Sequence, residues 1–187
     1  DTNKFPVNEN QIVNPKNPYG ISKKINEDTS SIFSKKLNIT FIGLRFFTIY
    51  GEWGRPDMFI LKFLQKKLKN KIFQLNNKGE HYRDFTYIKE VITILNKLLN
   101  LKLEKKNYIF NVCTSKPIYI RGLSNFLSKK IGFKKIKNIK INKADVLKTH
   151  GSNKKLIKAI GNIKFTSFKL GLKNTMNWFN YNKKLFF

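Results

Sequence analysis

Cysteine, histidine and acid are what this sequence has least of. A single thiol, Cys113, in 187 residues excludes an internal disulfide framework and any multi-cysteine zinc site, and it suits a reducing compartment. The two histidines, His81 and His150, have no cysteine or histidine at ligand spacing, so no metal centre is expected. Apolar stretches are broken by Lys or Asn well short of the roughly 18 residues that a membrane-spanning helix needs, and mean hydropathy is −0.42. The opening DTNKFPVNENQ lacks the apolar core of a secretory signal. A soluble, cytoplasmic protein with no membrane partner is expected. The chain starts at Asp1 without an initiator Met, and is expected to be part of something longer.

Acid is scarce enough to matter by itself. Eleven Asp and Glu oppose thirty-eight Lys and Arg, a formal charge of +27, and such a field favours anionic partners. Nucleic acid is the first class it suggests, because Lys and Arg on phosphates supply most non-specific affinity. The lysines are dispersed, however, in pairs such as Lys35-Lys36, Lys66-Lys67, Lys105-Lys106, Lys129-Lys130 and Lys154-Lys155, through a chain also rich in Asn, Ile and Phe. All four residue types have codons rich in A and T, so base composition produces them without selection for DNA binding. A basic nucleic-acid-binding module is the rival reading, and it requires one continuous basic face with interleaved aromatics. No nucleic-acid partner is expected.

What the sequence does contain alternates in the manner of an α/β protein. Asn17 and Pro18 form a cap and first turn, followed by Ile21, Ile25, Thr29, Ile32 and Phe33 at helical spacing, which predicts a helix over 18–36. Residues 39–47, β-branched and aromatic, read as a buried strand running into a loop over 50–57. A helix with Met58, Leu61, Leu64 and Leu68 on one face, a strand at 72–75 and a turn through Asn76, Asn77 and Gly79 lead to the segment 83–88. Helix 89–100, strand 107–112, helix 119–131, strand 136–141 and helix 152–160 follow. A last helix opens at Thr166 or Ser167, with Phe168, Leu172, Met176 and Phe179 on one face.

Three stretches carry chemistry. In Tyr19-Gly20-Ile21-Ser22-Lys23 the phenol and the amine lie four apart near a helix start, hence on one face. An ammonium beside a phenol favours the phenolate, moving Tyr toward general-base duty; as a bare spacing it equally describes a solvated Tyr beside a surface Lys. Residues 43–58 read GLRFFTIYGEWGRPDM, a strand with Arg45 and Thr48 entering a loop where Arg55, between Gly54 and Pro56, can present a guanidinium to a carboxylate or phosphate. A structural turn with an ordinary surface Arg is the alternative. In RDFTYI at 83–88, Arg83 either grips a phosphate or pairs with Asp84.

Together, and in this order, with the strand-turn FNVCTSKP, Ala144-Asp145-Val146 and a closing amphipathic helix, these motifs resemble the C-terminal part of the NAD-dependent nucleotide-sugar epimerase/dehydratase family of the extended short-chain dehydrogenase/reductases. The resemblance spans essentially all 187 residues. Within the family the chain is most similar to the UDP-glucuronate 4-epimerases, whose strand and loop read RFFT, then YG, a Trp and GRPDM. Galactose epimerases typically carry Asn where Thr48 stands. The family's Gly-rich dinucleotide loop and its catalytic Ser or Thr would precede Tyr19, and neither occurs in the sequence.

The resemblance implies an α/β fold: the C-terminal part of a Rossmann-like unit with its small substrate-binding domain. Residues 1–50 would finish the NAD-binding domain, and 51–187 would be mainly substrate-binding, with segments returning to the sheet. It implies a UDP-sugar 4-epimerase acting through a transient 4-keto sugar, with UDP-glucuronate converted to UDP-galacturonate for surface polysaccharide synthesis. Other epimerases, dehydratases or decarboxylases of the family are alternatives. Tyr19 and Lys23 would be catalytic and, with Arg45 and Phe46, would contact NAD. Thr48, Arg55, Phe73, Gln74, Arg83 and Asp145 would hold the UDP-sugar. A homodimer is expected of the complete enzyme, and an inactive, sticky chain of these 187 residues alone. Tyr50 and Trp53 are expected to pack their loop, and Cys113 to be a buried small hydrophobe.

Overall fold

The computed structural model describes residues 2, 4–140 and 146–186. Asn17 caps the first helix, α1 (Pro18–Leu37), by accepting from the Gly20 amide at 2.8 Å, and Pro18 occupies the first turn, where its missing N–H costs nothing. Asn38, left-handed at φ 52°, ends it. Strand β1 (Phe41–Phe46) follows, then β2 (Thr48–Tyr50), α2 (Phe59–Leu68), β3 (Phe73–Asn76) and a 3₁₀ turn, Asn77–Gly79. β4 (Tyr82–Tyr87), α3 (Ile88–Leu99), β5 (Asn107–Val112), β6 (Pro117–Tyr119), α4 (Ile120–Ile131), β7 (Ile136–Ile139), α5 (Lys154–Ile160) and α6 (Phe168–Tyr181) complete the regular elements ahead of a final 3₁₀ turn.

Among the described residues the strands form three small sheets. β1 pairs with β5 in parallel, Phe41 opposite Asn107; β2 pairs with β4 in parallel, Thr48 opposite Phe85; β3 pairs with β7 in parallel, Phe73 opposite Ile136. The exception is β6, antiparallel to β4. The sequence predicts one strand over 39–47 where the structure has two, because the chain leaves the β5 partnership at Phe47 and joins β4 one residue later. β6 has no counterpart in the sequence reading: three residues opening on Pro117 carry too little pattern.

Two clusters make the core. The larger gathers Tyr50, Phe63, Phe73, Phe85, Tyr87, Leu127, Leu172, Met176 and Phe179 between the β2–β4–β6 sheet and helices α2, α4 and α6. Gly171 permits the close approach of α6, since a Cβ there would fall 2.2 Å from the Tyr50 hydroxyl. The second cluster, Val91, Ile94, Leu98, Phe110, Val112 and Leu156, joins α3, β5 and α5. Buried carboxylates tie segments across these cores. Asp84, fully buried, accepts from the Thr114 amide (3.0 Å) and hydroxyl (2.7 Å) and from the Gly151 amide (3.3 Å). Glu90 accepts from the Thr166 amide at 3.0 Å and its hydroxyl at 2.5 Å, fixing the approach to α6. Cys113 is buried as expected, and burial pushes its thiol up to about 12.

Helix α1 stands apart. Its periodic apolar residues predict a buried face, yet Ile21, Ile25, Ile32 and Phe33 are exposed and only Ser34 is buried.

Candidate active site

Tyr19 and Lys23 sit in the first two turns of α1, and the i, i+4 spacing does bring them together: the Lys23 Nζ lies over the Tyr19 ring, 5.3 Å from its centroid. Tyr19 is 73% exposed. Both border an open cavity of about 570 Å3 between α1 and β1, whose wall includes Arg45 and Phe46. All four residues read as cofactor-contacting therefore share one concave surface. Arg45 is already engaged: Glu27 of α1 accepts from its Nε and Nη2, both at 2.7 Å. That bond raises the guanidinium pKa against the opposing effect of burial. The Arg45 side chain thus locks α1 onto β1 and so sets where Tyr19 and Lys23 stand. Phe46 is half-exposed beside it.

Thr48 and Arg55 meet at a second place, a small cleft shared with Tyr50, Gly51, Gly54 and Met58. The loop between them is held at several points. Trp53 takes φ 57°, uncommon for a bulky residue, and its indole packs on Trp178 of α6 with ring centroids 5.3 Å apart. The preceding Glu52 accepts from the Tyr87 hydroxyl at 2.6 Å; burial first, and then this bond, push that phenol up to about 12. The Met58 amide donates to the Arg55 carbonyl, and the Gln65 side chain donates to the Pro56 carbonyl, each at 3.1 Å. On this anchored loop the Arg55 guanidinium points to solvent and forks onto Asp57. The Asp57 hydrogen bond and the Asp57 charge raise the Arg55 pKa.

Arg83 reaches the same side of the sheet by register. Thr48 stands opposite Phe85, and Arg83, two residues earlier on β4, shares the side of Phe85, about 8 Å from Thr48 along and across the strands. Its Nη1 donates to the Tyr82 carbonyl at 2.8 Å. The Asp84 carboxylate next to it is taken by Thr114 and Gly151. The Phe73 side chain is buried against Phe59 and Phe63, so only its main chain can face a ligand, whereas Gln74 is exposed. Asp145 lies outside the described residues. Among the described residues no group of three or more His, Cys, Asp or Glu could hold a metal, and no helix is long and apolar enough to cross a membrane.

The sequence reading missed Glu27, Glu52, Asp57 and Trp178, which hold the candidate arginines and their loop. Asp57 alone carried a local signal, being two residues from Arg55 in the same motif.

Parallel strands flanked by helices, a Tyr–Lys pair at a helix start and an arginine loop at a strand end define a Rossmann-like α/β class. Residues 2–113 match the NAD dependent epimerase/dehydratase family, and the chain belongs to it. An uncharacterized protein of Methanocaldococcus jannaschii, MJ1055, is 36% identical over 188 residues, covering 96% of this chain and 55% of the relative. UDP-glucuronate 4-epimerase 4 of Arabidopsis thaliana is 30% identical over 195 residues, 94% of this chain and 44% of the plant protein. In structure, the chain is similar to the UDP-glucuronic acid 4-epimerase of Bacillus cereus in complex with UDP-glucuronic acid and NAD: TM-score 0.86, 24% identity, 94% of this chain and 56% of that one. The chain spans about half the length of the curated relatives it matches.

Proposed function

We propose that this chain is the base- and substrate-bearing part of a NAD-dependent UDP-sugar 4-epimerase that interconverts UDP-glucuronate and UDP-galacturonate. One observation carries the reading: the Tyr19–Lys23 pair, with the Lys23 Nζ 5.3 Å from the Tyr19 ring centroid, shares one concave surface with Arg45 and Phe46, and the next strand and its loop carry Thr48 and Arg55 into a small cleft of their own. This chain thus supplies both a hydroxyl-deprotonating group and a carboxylate-binding group. The plant relative and the bacterial structure are both named for the same sugar acid.

The residues present fit the nicotinamide-ribose end of the cofactor. An ammonium and a phenol at the mouth of an apolar concavity offer a donor to ribose hydroxyls and a proton acceptor beside the reacting carbon. NAD, when bound, supplies the acceptor and later the donor of the C4 hydride. Tyr19 takes the proton of the 4-hydroxyl and returns it after the 4-keto sugar has turned over its other face. Lys23, over the Tyr19 ring, anchors the ribose. Thr48 and Arg55 receive the C6 carboxylate, Arg83 the diphosphate, Phe73 (through its main chain) and Gln74 the uracil, and Asp145 the uridine ribose. Arg45 and Phe46 form the wall on the cofactor side. We further propose that a dinucleotide-binding portion with a Gly-rich turn completes the enzyme as a cytoplasmic homodimer serving surface polysaccharide synthesis, and that the 187 residues alone are inactive.

The test is Arg55→Gln in the complete enzyme, with UDP-glucuronate and UDP-glucose compared. Loss of a charge-assisted hydrogen bond should weaken UDP-glucuronate about ten- to a hundredfold and UDP-glucose little. Equal losses would assign Arg55 to the diphosphate or uridine. Efficient turnover of UDP-glucose by the unaltered enzyme would remove the uronate assignment.

A further inference from the structure

The Arg55 fork is already filled by a carboxylate from its own loop. Asp57 accepts from Nε at 3.1 Å (Oδ1) and from Nη2 at 2.6 Å (Oδ2), the two-point geometry in which guanidinium binds any carboxylate. The two side chains are 76% and 59% exposed, so the pair is held weakly and can open without desolvation. Their backbones are not loose. The Met58 amide on the Arg55 carbonyl and the Gln65 side chain on the Pro56 carbonyl fix the main chain that links the pair. Neighbouring Trp53 is pinned to Trp178. Opening therefore needs only side-chain movement and leaves the main chain that carries Arg55 in place. The guanidinium in turn holds Asp57 below the usual carboxylate range, so the placeholder stays ionised wherever a uronate substrate is.

We propose that Asp57 is a displaceable internal stand-in for the substrate carboxylate, setting how strongly the site prefers a uronate over a neutral hexose. The inference rests on the reading of Arg55 given above. With Asp57 in place, a neutral sugar binds beside an arginine that already has a partner, whereas a uronate must first evict Asp57. The pair therefore lowers uronate affinity and leaves neutral sugars untouched, blunting the discrimination that Arg55 alone would give.

The experiment is a double-mutant cycle in the complete enzyme, reading dissociation constants for UDP-glucuronate and UDP-glucose by calorimetry in wild type, Asp57→Asn, Arg55→Gln and the double variant. Asp57→Asn should tighten UDP-glucuronate about two- to fivefold, the range expected of an exposed ion pair, and change UDP-glucose by less than twofold, which also shows that the loop is intact. In the Arg55→Gln background the gain should vanish. Weaker UDP-glucuronate binding in Asp57→Asn would show that Asp57 supports the fork and overturn the proposal. An equal change for both sugars, or a gain that persists without Arg55, would overturn it as well. The Arg55→Gln variant alone scores the underlying reading: if it discriminates the two sugars while Asp57→Asn does nothing, the stand-in fails and the uronate site survives.

Discussion

Helices α1 and α6 start from the same local recipe and end in different surroundings. Each has an N-cap side chain accepting from an amide three residues on, Asn17 from Gly20 and Ser167 from Leu170, and each repeats apolar residues at helical spacing. α6 buries Leu172, Met176 and Phe179 in the larger core. α1, six residues longer, leaves Ile25 57% exposed and buries one serine. Caps and periodicity specify a helix; what covers its apolar stripe is decided by other parts of a structure. The contrast bears on function, because the Tyr–Lys pair sits on the uncovered helix while the arginine loop is braced by the covered one through Trp178.

The largest expected effect tests whether the uncovered helix carries the reaction. In the complete enzyme Tyr19→Phe should lower kcat about a hundred- to ten-thousandfold, the usual contribution of a general acid–base group, with UDP-sugar affinity nearly intact because only one oxygen is lost. Lys23→Met should weaken NAD binding as well. A Tyr19→Phe enzyme retaining more than a tenth of wild-type kcat would move the base elsewhere and dissolve the link between α1 and catalysis.

A second experiment sharpens the comparison as a matter of packing. Phe63, fully buried among Phe59, Phe73 and Phe133, should cost about 3–5 kcal/mol when truncated to Ala, by lost transfer energy and a residual cavity. Ile25→Ala on α1 should stay within about 0.5 kcal/mol in the 187-residue chain, both measured by urea denaturation. Repeating Ile25→Ala in the complete protein is the informative arm: a rise toward about 2 kcal/mol would show that another part of the protein covers α1, and an unchanged value would leave the helix a solvated surface element.

Which parts were legible in the sequence follows the same division. Most element types and their order could be read because each depends on neighbours within a few residues: the caps of α1 and α6, the helical faces of α2 and α6, and the apolar runs of β1 and β5. The YGISK, GRPDM and RDFTYI motifs led to the family for the same reason, being local strings. What could not be read are pairings between distant residues. The sequence offered Arg45 as a cofactor contact but gave no sign that Glu27, on the preceding helix, holds its guanidinium. Asp84 looked like a partner for Arg83, but its acceptors serve Thr114 and Gly151, 30 and 67 positions away. The exposure of α1 was illegible too, since periodicity says which residues share a face and nothing about what lies against it.

The smallest effect expected probes the covered region from within, through pH. Cys113, pushed up to about 12 by burial, and Tyr87, also about 12, stay protonated in the folded chain, whereas in the unfolded chain they ionise near 8.5 and 10. For an acid whose folded pKa is raised, the unfolded state binds fewer protons between the two values, so stability is fully present below the unfolded pKa and falls as pH rises above it. Between pH 8.5 and 9.5 only the thiol contributes appreciably, and the loss is bounded by about 1.4 kcal/mol per pH unit for one proton. Urea midpoints should accordingly drift downward above pH 8.5, and Cys113→Ala should flatten that first part of the slope. The fall above pH 10, which belongs to the phenols, should remain. Alkylation by iodoacetamide at pH 8.5 should track global unfolding, since Cys113 lies against Gly151 with no room for reagent. Rapid modification of the native chain would mean that this wall opens locally, and the covered half would then be less closed than the burial of its core implies.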